Sequence, residues 1–346
     1  MFETNAKPRL DVALIGCGRI AQTHLQAIAN NSSCRLLAVA DVNEAAALSV
    51  AADHGCQAFS HYRDLAGNVD LDAVVICSPP STHAEIALFF LEKGVHVLCE
   101  KPLAIRSDHA AMMVKRAEAN NRLLMMASKF RYVDDVIEAK AMLESGALGE
   151  IILFENVFSG RVEMRGRWNS VREISGGGVL IDNGSHSVDI ARYLLGPITR
   201  VQAEDARRVQ RLEVEDTARI CFRTESNAMG NIDLSWSIHK ERESYIDLYG
   251  SEGTLSIGWK HSKYRRHDMK EWKEFGQGYD KVKAFGRQFA NFIGSIQGHE
   301  QPRISGQDAL ESVRVIEAAY KSASSNRWVN VEPIAEPTQI LVRRAA

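Results

Sequence analysis

The sequence predicts an α/β protein: a doubly wound parallel sheet in the first third of the chain, then an α/β domain with an open, mostly antiparallel sheet. Apolar runs alternate with helical stretches over the first 128 residues, and such alternation is typical of parallel strands joined by right-handed crossovers. Beyond residue 200, strand-like runs follow one another directly, which favours antiparallel pairing. With 346 residues, the chain is long enough for two domains of about 100–200 residues each.

The first domain is predicted over residues 1–128. Its apolar runs are continuous, as expected for strands that are covered on both faces. Asn43 is a predicted helix N-cap and Gly55 the end of that helix, whereas Ser81 or Thr82 is expected to cap the helix that stops at Gly94. The predicted strands cover residues 10–15, 36–40, 73–77, 95–99 and 123–127.

The second domain is predicted over residues 129–346. It begins with a helix at 133–145 and a strand at 151–158, followed by a polar loop. The segment after Pro333 is expected to form a peripheral strand or a loose arm. Further strands are predicted at 201–205, 218–222, 229–236, 245–249 and 254–257, and further helices at 179–195, 282–296 and 309–322.

Composition narrows the classes of partner. The 42 basic and 44 acidic residues give a formal charge of −2, which argues against a nucleic-acid or anionic-membrane footprint. No apolar run approaches the ~20 residues that span a bilayer, and the polar first nine residues contain no signal-peptide core. The six cysteines form no C-x-x-C pair, so reduced thiols in a cytoplasmic protein are expected.

A glycine motif follows the first predicted strand. Residues 16–21 read Gly-Cys-Gly-Arg-Ile-Ala, which fits the G-x-G-x-x-A fingerprint of a Rossmann dinucleotide-binding domain in its required strand–turn–helix context. Gly16 permits the tight turn, and Gly18 lets the backbone approach a pyrophosphate at the helix N-terminus. Arg19 and Ile20 are further candidates for cofactor contacts, although Arg19 is equally compatible with a solvated position at the helix start.

Two other strand ends are expected to border the cofactor. Asp41 lies 23 residues after Gly18, where a carboxylate accepts hydrogen bonds from ribose hydroxyls and repels a 2′-phosphate. We therefore expect NAD rather than NADP; the alternative role for Asp41 is to cap the following helix. Ser78, Pro79 and His83 follow the third strand and are candidate cofactor neighbours, with a local hydrogen bond as the alternative for His83.

Two further motifs carry candidate catalytic residues. Glu100-Lys101-Pro102 ends a buried strand. Asp182, His186 and Asp189 follow a triple glycine at spacings of i, i+4 and i+7, which place them on one helical face.

Together, residues 16–24, 76–83, 100–102 and 176–189 resemble the Gfo/Idh/MocA oxidoreductase family. The resemblance implies a Rossmann domain followed by an α/β domain whose sheet forms homodimers or homotetramers. It also implies that Glu100 and Lys101 lie at the cofactor, and that Lys101, Asp182 and His186 line the reaction centre and contact substrate.

These residue types suit alcohol oxidation, which requires loss of a hydride to the cofactor and loss of a proton to a base. Histidine is suited to act as the base, and a lysine stabilises alkoxide charge. Our hypothesis makes His186 the base, oriented by Asp182, with Lys101 as electrostatic partner. The alternatives are a buried polar anchor or a zinc site, but no third metal ligand has suitable spacing.

Substrate contacts are expected from the second domain. Arg131 and Trp168 are the first candidates, since arginine binds hydroxyls or anions and tryptophan stacks on a sugar face. An arginine-rich stretch at 161–172 indicates either an anionic group or a solvated loop. Additional candidates are Lys129, Tyr132, Asn156, Arg167, Trp236 and His239.

The leading functional prediction is an NAD-dependent dehydrogenase that acts on a sugar, cyclitol or nucleotide-sugar hydroxyl. One alternative is an NAD-dependent glycosidase that oxidises its substrate transiently, so that the net reaction is hydrolysis. A non-catalytic NAD-binding sensor is the other, and the intact Lys101, Asp182 and His186 argue against it.

Overall fold

The computed structural model describes residues 9–240 and 242–331. The predicted strand or arm after Pro333 lies outside these residues. Within the described residues, two sheets share one continuous hydrophobic core.

The first sheet is parallel throughout its described pairs and has the order β3-β2-β1-β4-β5-β6. This order reverses direction next to β1, as in doubly wound nucleotide-binding domains, so the predicted fold class of the first third is confirmed. The elements are β1 (Leu10–Ile15), α1 (Arg19–Ala29), β2 (Cys34–Ala40), α2 (Glu44–His54), β3 (Gln57–Phe59), α3 (Tyr62–Asn68), β4 (Ala73–Ile76), α4 (Pro80–Glu92), β5 (His96–Glu100), α5 (Ser107–Ala119) and β6 (Leu124–Ala127).

Helix ends follow local chemistry. The Asn43 side chain accepts the Ala46 N–H at 3.3 Å, and Gly55 ends α2 in the left-handed region at φ +66°. The prediction that Ser81 or Thr82 caps α4 is wrong: Pro79 occupies the cap position and makes no side-chain cap hydrogen bond. Proline suits the first turn of α4 because its fixed φ is already helical and the missing N–H is not needed there.

The second sheet is mixed and mostly antiparallel, with the order β14-β13-β12-β11-β7-β10-β9-β8-β15, in which β7 and β10 run parallel. The predicted class of this part is therefore confirmed. Its elements are α6 (Asp134–Glu144), β7 (Ile151–Ser159), α7 (Arg172–Ser175), α8 (Val179–Leu195), β8 (Ile198–Asp205), β9 (Thr217–Thr224), β10 (Met229–Ser235), β11 (Ser244–Gly250), β12 (Gly253–Gly258), β13 (Ser262–Arg266), β14 (Lys273–Phe275), α9 (Lys281–Ile296), α10 (Gly306–Ser325) and β15 (Val329–Asn330).

Six elements were not predicted: β3, α3, α7, β13, β14 and β15. The strands among them have two to five residues and largely exposed or half-buried side chains. Such strands lack the continuous apolar run or clean alternation that identifies a strand in a sequence.

The last two long helices pack against the first sheet's helices, α9 on α1 and α10 on α5. Helix α10 also covers α8 and β8. A domain boundary after residue 128 therefore stays a prediction, because late residues complete the cover of the first sheet. No helix in the described ranges is long and apolar enough to cross a bilayer.

Candidate active site

A cavity of about 540 Å³ lies where the carboxyl ends of β4, β5 and β6 meet the N-terminal half of α8. In doubly wound sheets ligands bind outside the carboxyl ends of the strands, at the reversal of strand order. Residues from both halves of the chain line the cavity, among them Arg19, Ile20, Lys101, Trp168, Asp182 and His186.

The glycine turn between β1 and α1 has the geometry that a nucleotide site needs. Gly16 has φ +91°, and a Cβ there would lie 2.6 Å from the Ser78 backbone nitrogen, so only glycine fits. Gly18 occupies the N-cap of α1, and a Cβ there would meet nothing within 4 Å. The N-terminus of α1 is thus open to an approaching phosphate.

Asp41 ties the glycine turn to the end of β2. Its carboxylate accepts the Cys17 N–H at 2.6 Å and the Asn43 N–H at 2.7 Å. Since Asn43 caps α2, the alternative role of Asp41 as that helix's N-cap is not supported. Each carboxylate oxygen keeps a further acceptor site, so Asp41 still suits ribose hydroxyls.

Of the three candidates after β4, Ser78 lines the cavity, whereas Pro79 caps α4 and its neighbour Pro80 lines the cavity instead. His83 requires a correction: its ring is 0% exposed, and its two nitrogens lie 2.8 Å from the carbonyl oxygens of Pro102 and Ser78. Burial lowers the pKa of His83. The local hydrogen-bonding alternative therefore applies, and His83 connects the loop at Ser78 to the loop at Pro102.

The helix that carries the predicted catalytic face is fixed by close packing at its start. A Cβ on Gly178, the N-cap of α8, would lie 1.9 Å from the Glu215 carbonyl oxygen. The Glu215 side chain accepts the N–H groups of Gly178 at 2.9 Å and Leu180 at 3.2 Å. The glycines before α8 thus serve the packing of this helix rather than a ligand.

Lys101 and Asp182 meet in the cavity although they are far apart in the chain. The Lys101 ammonium forms an ion pair with the Asp182 carboxylate and also donates to the Asp182 carbonyl oxygen at 3.1 Å. The expected orientation of His186 by Asp182 is wrong, because the carboxylate of Asp182 is directed to Lys101. Within residues 9–240 and 242–331, Nδ1 of His186 is buried without a hydrogen-bond partner.

His186 lies in an apolar and positively charged environment. Its ring packs edge-on against Phe130 with centroids 5.2 Å apart. Burial, followed by the charges of Lys129 and Lys101, lowers the pKa of His186 well below its ordinary value. The imidazole is therefore neutral at physiological pH and able to accept a proton.

Glu100 lines the cavity but its oxygens are already engaged. Oε1 lies 2.8 Å from His24 Nε2, and Oε2 accepts the Lys101 N–H at 3.1 Å. Burial raises the pKa of Glu100, but the hydrogen bond with His24 and the neighbouring lysines outweigh burial, and the net pKa is lowered. Glu100 is thus an ionised support under the cavity floor.

Arg131 also requires a correction, since it does not line the cavity. Its guanidinium binds the Asp189 carboxylate through two hydrogen bonds, of 2.9 and 2.7 Å. The two side chains are 4% and 0% exposed. The third polar position of the α8 face, Asp189, is therefore half of a buried ion pair, and no sequence spacing indicated its partner.

The other substrate candidates divide similarly. Trp168, 43% exposed, and Lys129 line the cavity, whereas Tyr132, Asn156 and Trp236 are buried. Sequence reasoning missed further lining residues, all but Asn183 outside the motif segments. These are mainly Phe158, Asn169, Asn183, Trp259 and Phe285.

The arginine-rich stretch does not converge on the cavity. Arg165 forms an exposed ion pair with Glu163, and Arg161 lines a separate surface depression. In the part of the chain that the structure describes, no group of three or more His, Cys, Asp or Glu side chains is placed to hold a metal ion.

Comparison with known proteins places the chain in a family. Residues 10–128 match the family model described as "Oxidoreductase family, NAD-binding Rossmann fold", and residues 136–256 match the GFO/IDH/MocA C-terminal domain. The predicted NAD cofactor and oxidoreductase class are thereby confirmed.

Named relatives agree over nearly the whole chain. Inositol 2-dehydrogenase of Rhizobium meliloti is 26% identical over 92% of this chain and 98% of its own length. D-apiose dehydrogenase of Paraburkholderia graminis is 26% identical over 96% of this chain and 92% of its own. The WlbA dehydrogenase of Bordetella pertussis, solved with NADH and UDP-GlcNAcA, is 26% identical with a TM-score of 0.85, covering 95% of this chain and 99% of that one. The chain belongs to the Gfo/Idh/MocA family of NAD-binding oxidoreductases.

Proposed function

We propose that this protein is an NAD-dependent dehydrogenase that moves hydride between nicotinamide and a hydroxyl-bearing carbon of a sugar, cyclitol or nucleotide sugar. The observation that carries the proposal is the convergence of Lys101, Asp182 and His186 on one cavity next to the glycine turn. The relatives' names, inositol and D-apiose dehydrogenase, support the substrate class.

The residues at the turn fit NAD. Gly18 leaves open space at the α1 N-terminus, where backbone N–H groups hold a pyrophosphate, and Asp41 offers acceptor sites to ribose hydroxyls. Arg19, Ile20 and Ser78 line the neighbouring part of the cavity. When bound, NAD supplies the hydride acceptor.

We assign the proton transfer to His186. Because Nδ1 is buried, Nε2 is the nitrogen that receives the hydroxyl proton in this proposal. Lys101, held by Asp182, stabilises the negative charge that develops on the substrate oxygen. Asp182 acts in this scheme as a positioning residue for Lys101 rather than for His186.

The test is NADH formation on a panel of sugars, cyclitols and nucleotide sugars. His186→Asn is expected to lower kcat by about 10²–10⁴-fold and to leave NADH affinity unchanged. The exposed His299 provides the matched control His299→Asn, which should retain full turnover. Unchanged turnover in His186→Asn would remove His186 from the mechanism.

The same panel separates the alternatives. Glycoside cleavage without net NADH would indicate the glycosidase, and tight NAD binding without any turnover would indicate the sensor. Neither alternative has support among the relatives named above.

We also propose that the second sheet forms a homodimer or homotetramer. Met229, Leu153 and Tyr249 lie side by side on β10, β7 and β11, and Met229 is 41% exposed. A row of apolar side chains on an open sheet face suits an interface between copies. Light scattering should give a mass of two or four chains, and Met229→Lys should lower it; a monomeric mass would contradict the proposal.

A further inference from the structure

Lys129 holds a positive charge in the cavity that no carboxylate of the described residues neutralises by direct contact. The other lysine of the cavity, Lys101, is paired with Asp182. Among residues 9–240 and 242–331, the Lys129 ammonium has neither an ion pair nor a hydrogen bond; it lies 5.2 Å from the ring centre of Phe130 and 5.7 Å from that of Phe285. Ring faces attract a cation only weakly compared with a carboxylate.

The charged groups around Lys129 do not supply that carboxylate. The pKa of Lys129 is influenced by the charges of Lys101, Glu100, Lys281 and Asp182. The charge of Lys129 in turn influences the pKa of His186. Glu100 is engaged by His24 and by the Lys101 N–H. Among the described residues, the only two nearby acids in this set are therefore committed to other partners, and Lys129 is left as an unmatched cation in the cavity.

That cation is present at neutral pH. Burial, followed by repulsion from Lys101, lowers the pKa of Lys129 to about 8. The amine is thus mostly protonated near pH 7 and mostly neutral near pH 9. A ligand that brings one negative charge would both neutralise the ammonium and restore its hydrogen bonds.

We infer that Lys129 binds a carboxylate of the substrate, so that the site takes a sugar acid with its reacting hydroxyl between Lys101 and His186. The inference rests on the proposed function and deepens it. A carboxylate matches the unpaired Lys129 ammonium, because it carries one charge. A phosphate carries nearly two charges, and the only arginine that lines this cavity in the described ranges, Arg19, lies at the glycine turn.

Binding to the NADH-loaded protein tests the inference without relying on turnover. Calorimetric titration compares glucuronate with glucose, and galacturonate with galactose. A hydrogen bond to a charged group contributes about 10- to 150-fold in affinity, so at least one acid should bind wild type more tightly than its neutral partner by that factor. Lys129→Met should abolish this difference and leave the affinity for the neutral sugar within about twofold.

Two controls isolate the ammonium. Lys281→Met removes an exposed charge that also lies near the ring of Phe285 and should preserve the preference for the acid. Raising the pH of wild type from about 7 to about 9 should weaken acid binding about tenfold, without affecting the neutral sugar. This measurement needs no variant and holds even if Lys129→Met folds poorly.

Equal affinity of wild type for every acid and its neutral partner would overturn the inference. An equal loss of affinity for sugar acids and neutral sugars in Lys129→Met would also overturn it, because Lys129 would then not bind the carboxylate specifically. NADH formation by the NAD-loaded protein on the same acids and neutral sugars separates the two proposals. Turnover of neutral sugars without acid preference would refute the carboxylate site alone, whereas Lys129-dependent acid binding without any turnover on the panel would refute the dehydrogenase.

Discussion

The buried pair of Arg131 and Asp189 gives the sharpest test of the structure against the sequence. Sequence reasoning predicts Arg131 as a substrate residue, whereas the structure makes it the partner of a fully buried carboxylate. Replacing Arg131 by methionine keeps much of the side-chain volume but leaves Asp189 without its counter-charge. The Ser128 and Ser312 hydroxyls that also contact Asp189 cannot neutralise it.

The magnitude follows from the burial. Removing one partner of a buried ion pair costs about 3–5 kcal/mol in the free energy of unfolding. For 346 residues at about 2.1 cal/mol/K per residue, the entropy of unfolding is about 0.7 kcal/mol/K, so Tm should fall by about 4–7 °C. Removing both charges in Arg131→Met/Asp189→Leu should recover most of this loss, because an apolar pair of similar volume is often as stable.

Thermal unfolding followed by circular dichroism measures the effect, and titration with NADH and substrate checks the site. Arg165→Met, in an exposed pair with Glu163, is the control and should leave Tm unchanged. A variant Arg131→Met with wild-type Tm and greatly weakened substrate binding would refute the structural role and restore the sequence prediction.

Three further predictions follow from geometry and pKa. Gly16→Ala should lower the free energy of unfolding by about 1–3 kcal/mol from its left-handed φ alone. Gly18→Ala should keep the wild-type free energy of unfolding and weaken NADH binding; equal losses of unfolding free energy for the two variants in chemical denaturation would contradict this. Asp41→Ser should narrow the preference for NAD over NADP measured by cofactor titration, and an unchanged preference would exclude Asp41 from the ribose site. Burial and the charge of Arg122 lower the pKa of His96 to about 4. As the pH decreases from about 6.5 to about 4, the unfolded chain therefore takes up a proton that the folded chain does not. The free energy of unfolding decreases over this range by up to about 3 kcal/mol. His96→Asn, which keeps an acceptor for the Leu123 N–H, should flatten that dependence in urea unfolding, and an unaltered slope would contradict it.

The strands of the first sheet other than β3 could be predicted, because each is a continuous apolar run that ends near a glycine, a proline or a polar residue. Residues 10–15 were predicted to the residue. The strands at one edge of the second sheet could not be predicted, since β13 and β14 have half-exposed and charged side chains. Their pairing depends on neighbours that the local sequence does not specify.

At the site, sequence periodicity could place Asp182 and His186 on one face of α8, but not choose their partners. Asp182 meets a lysine 81 positions earlier in the chain, and Asp189 meets an arginine 58 positions earlier. Long-range contacts of this kind decide whether a polar residue catalyses or anchors. Lys129 illustrates the same point, because only the fold shows that its ammonium has no ion-pair partner in the part of the chain that the structure describes.

The return of α9 and α10 to the first sheet bears on how this molecule can be divided. Ala21 and Leu25 on α1 are buried, as are Ala110 and Val114 on α5, and part of that cover comes from the two late helices. A fragment cut after residue 128 would present these apolar faces to water and would tend to aggregate. A chimaera that exchanges substrate pockets between relatives should therefore keep α9 and α10 with the nucleotide-binding half. Only the segment between residue 128 and the start of α9 should be transplanted.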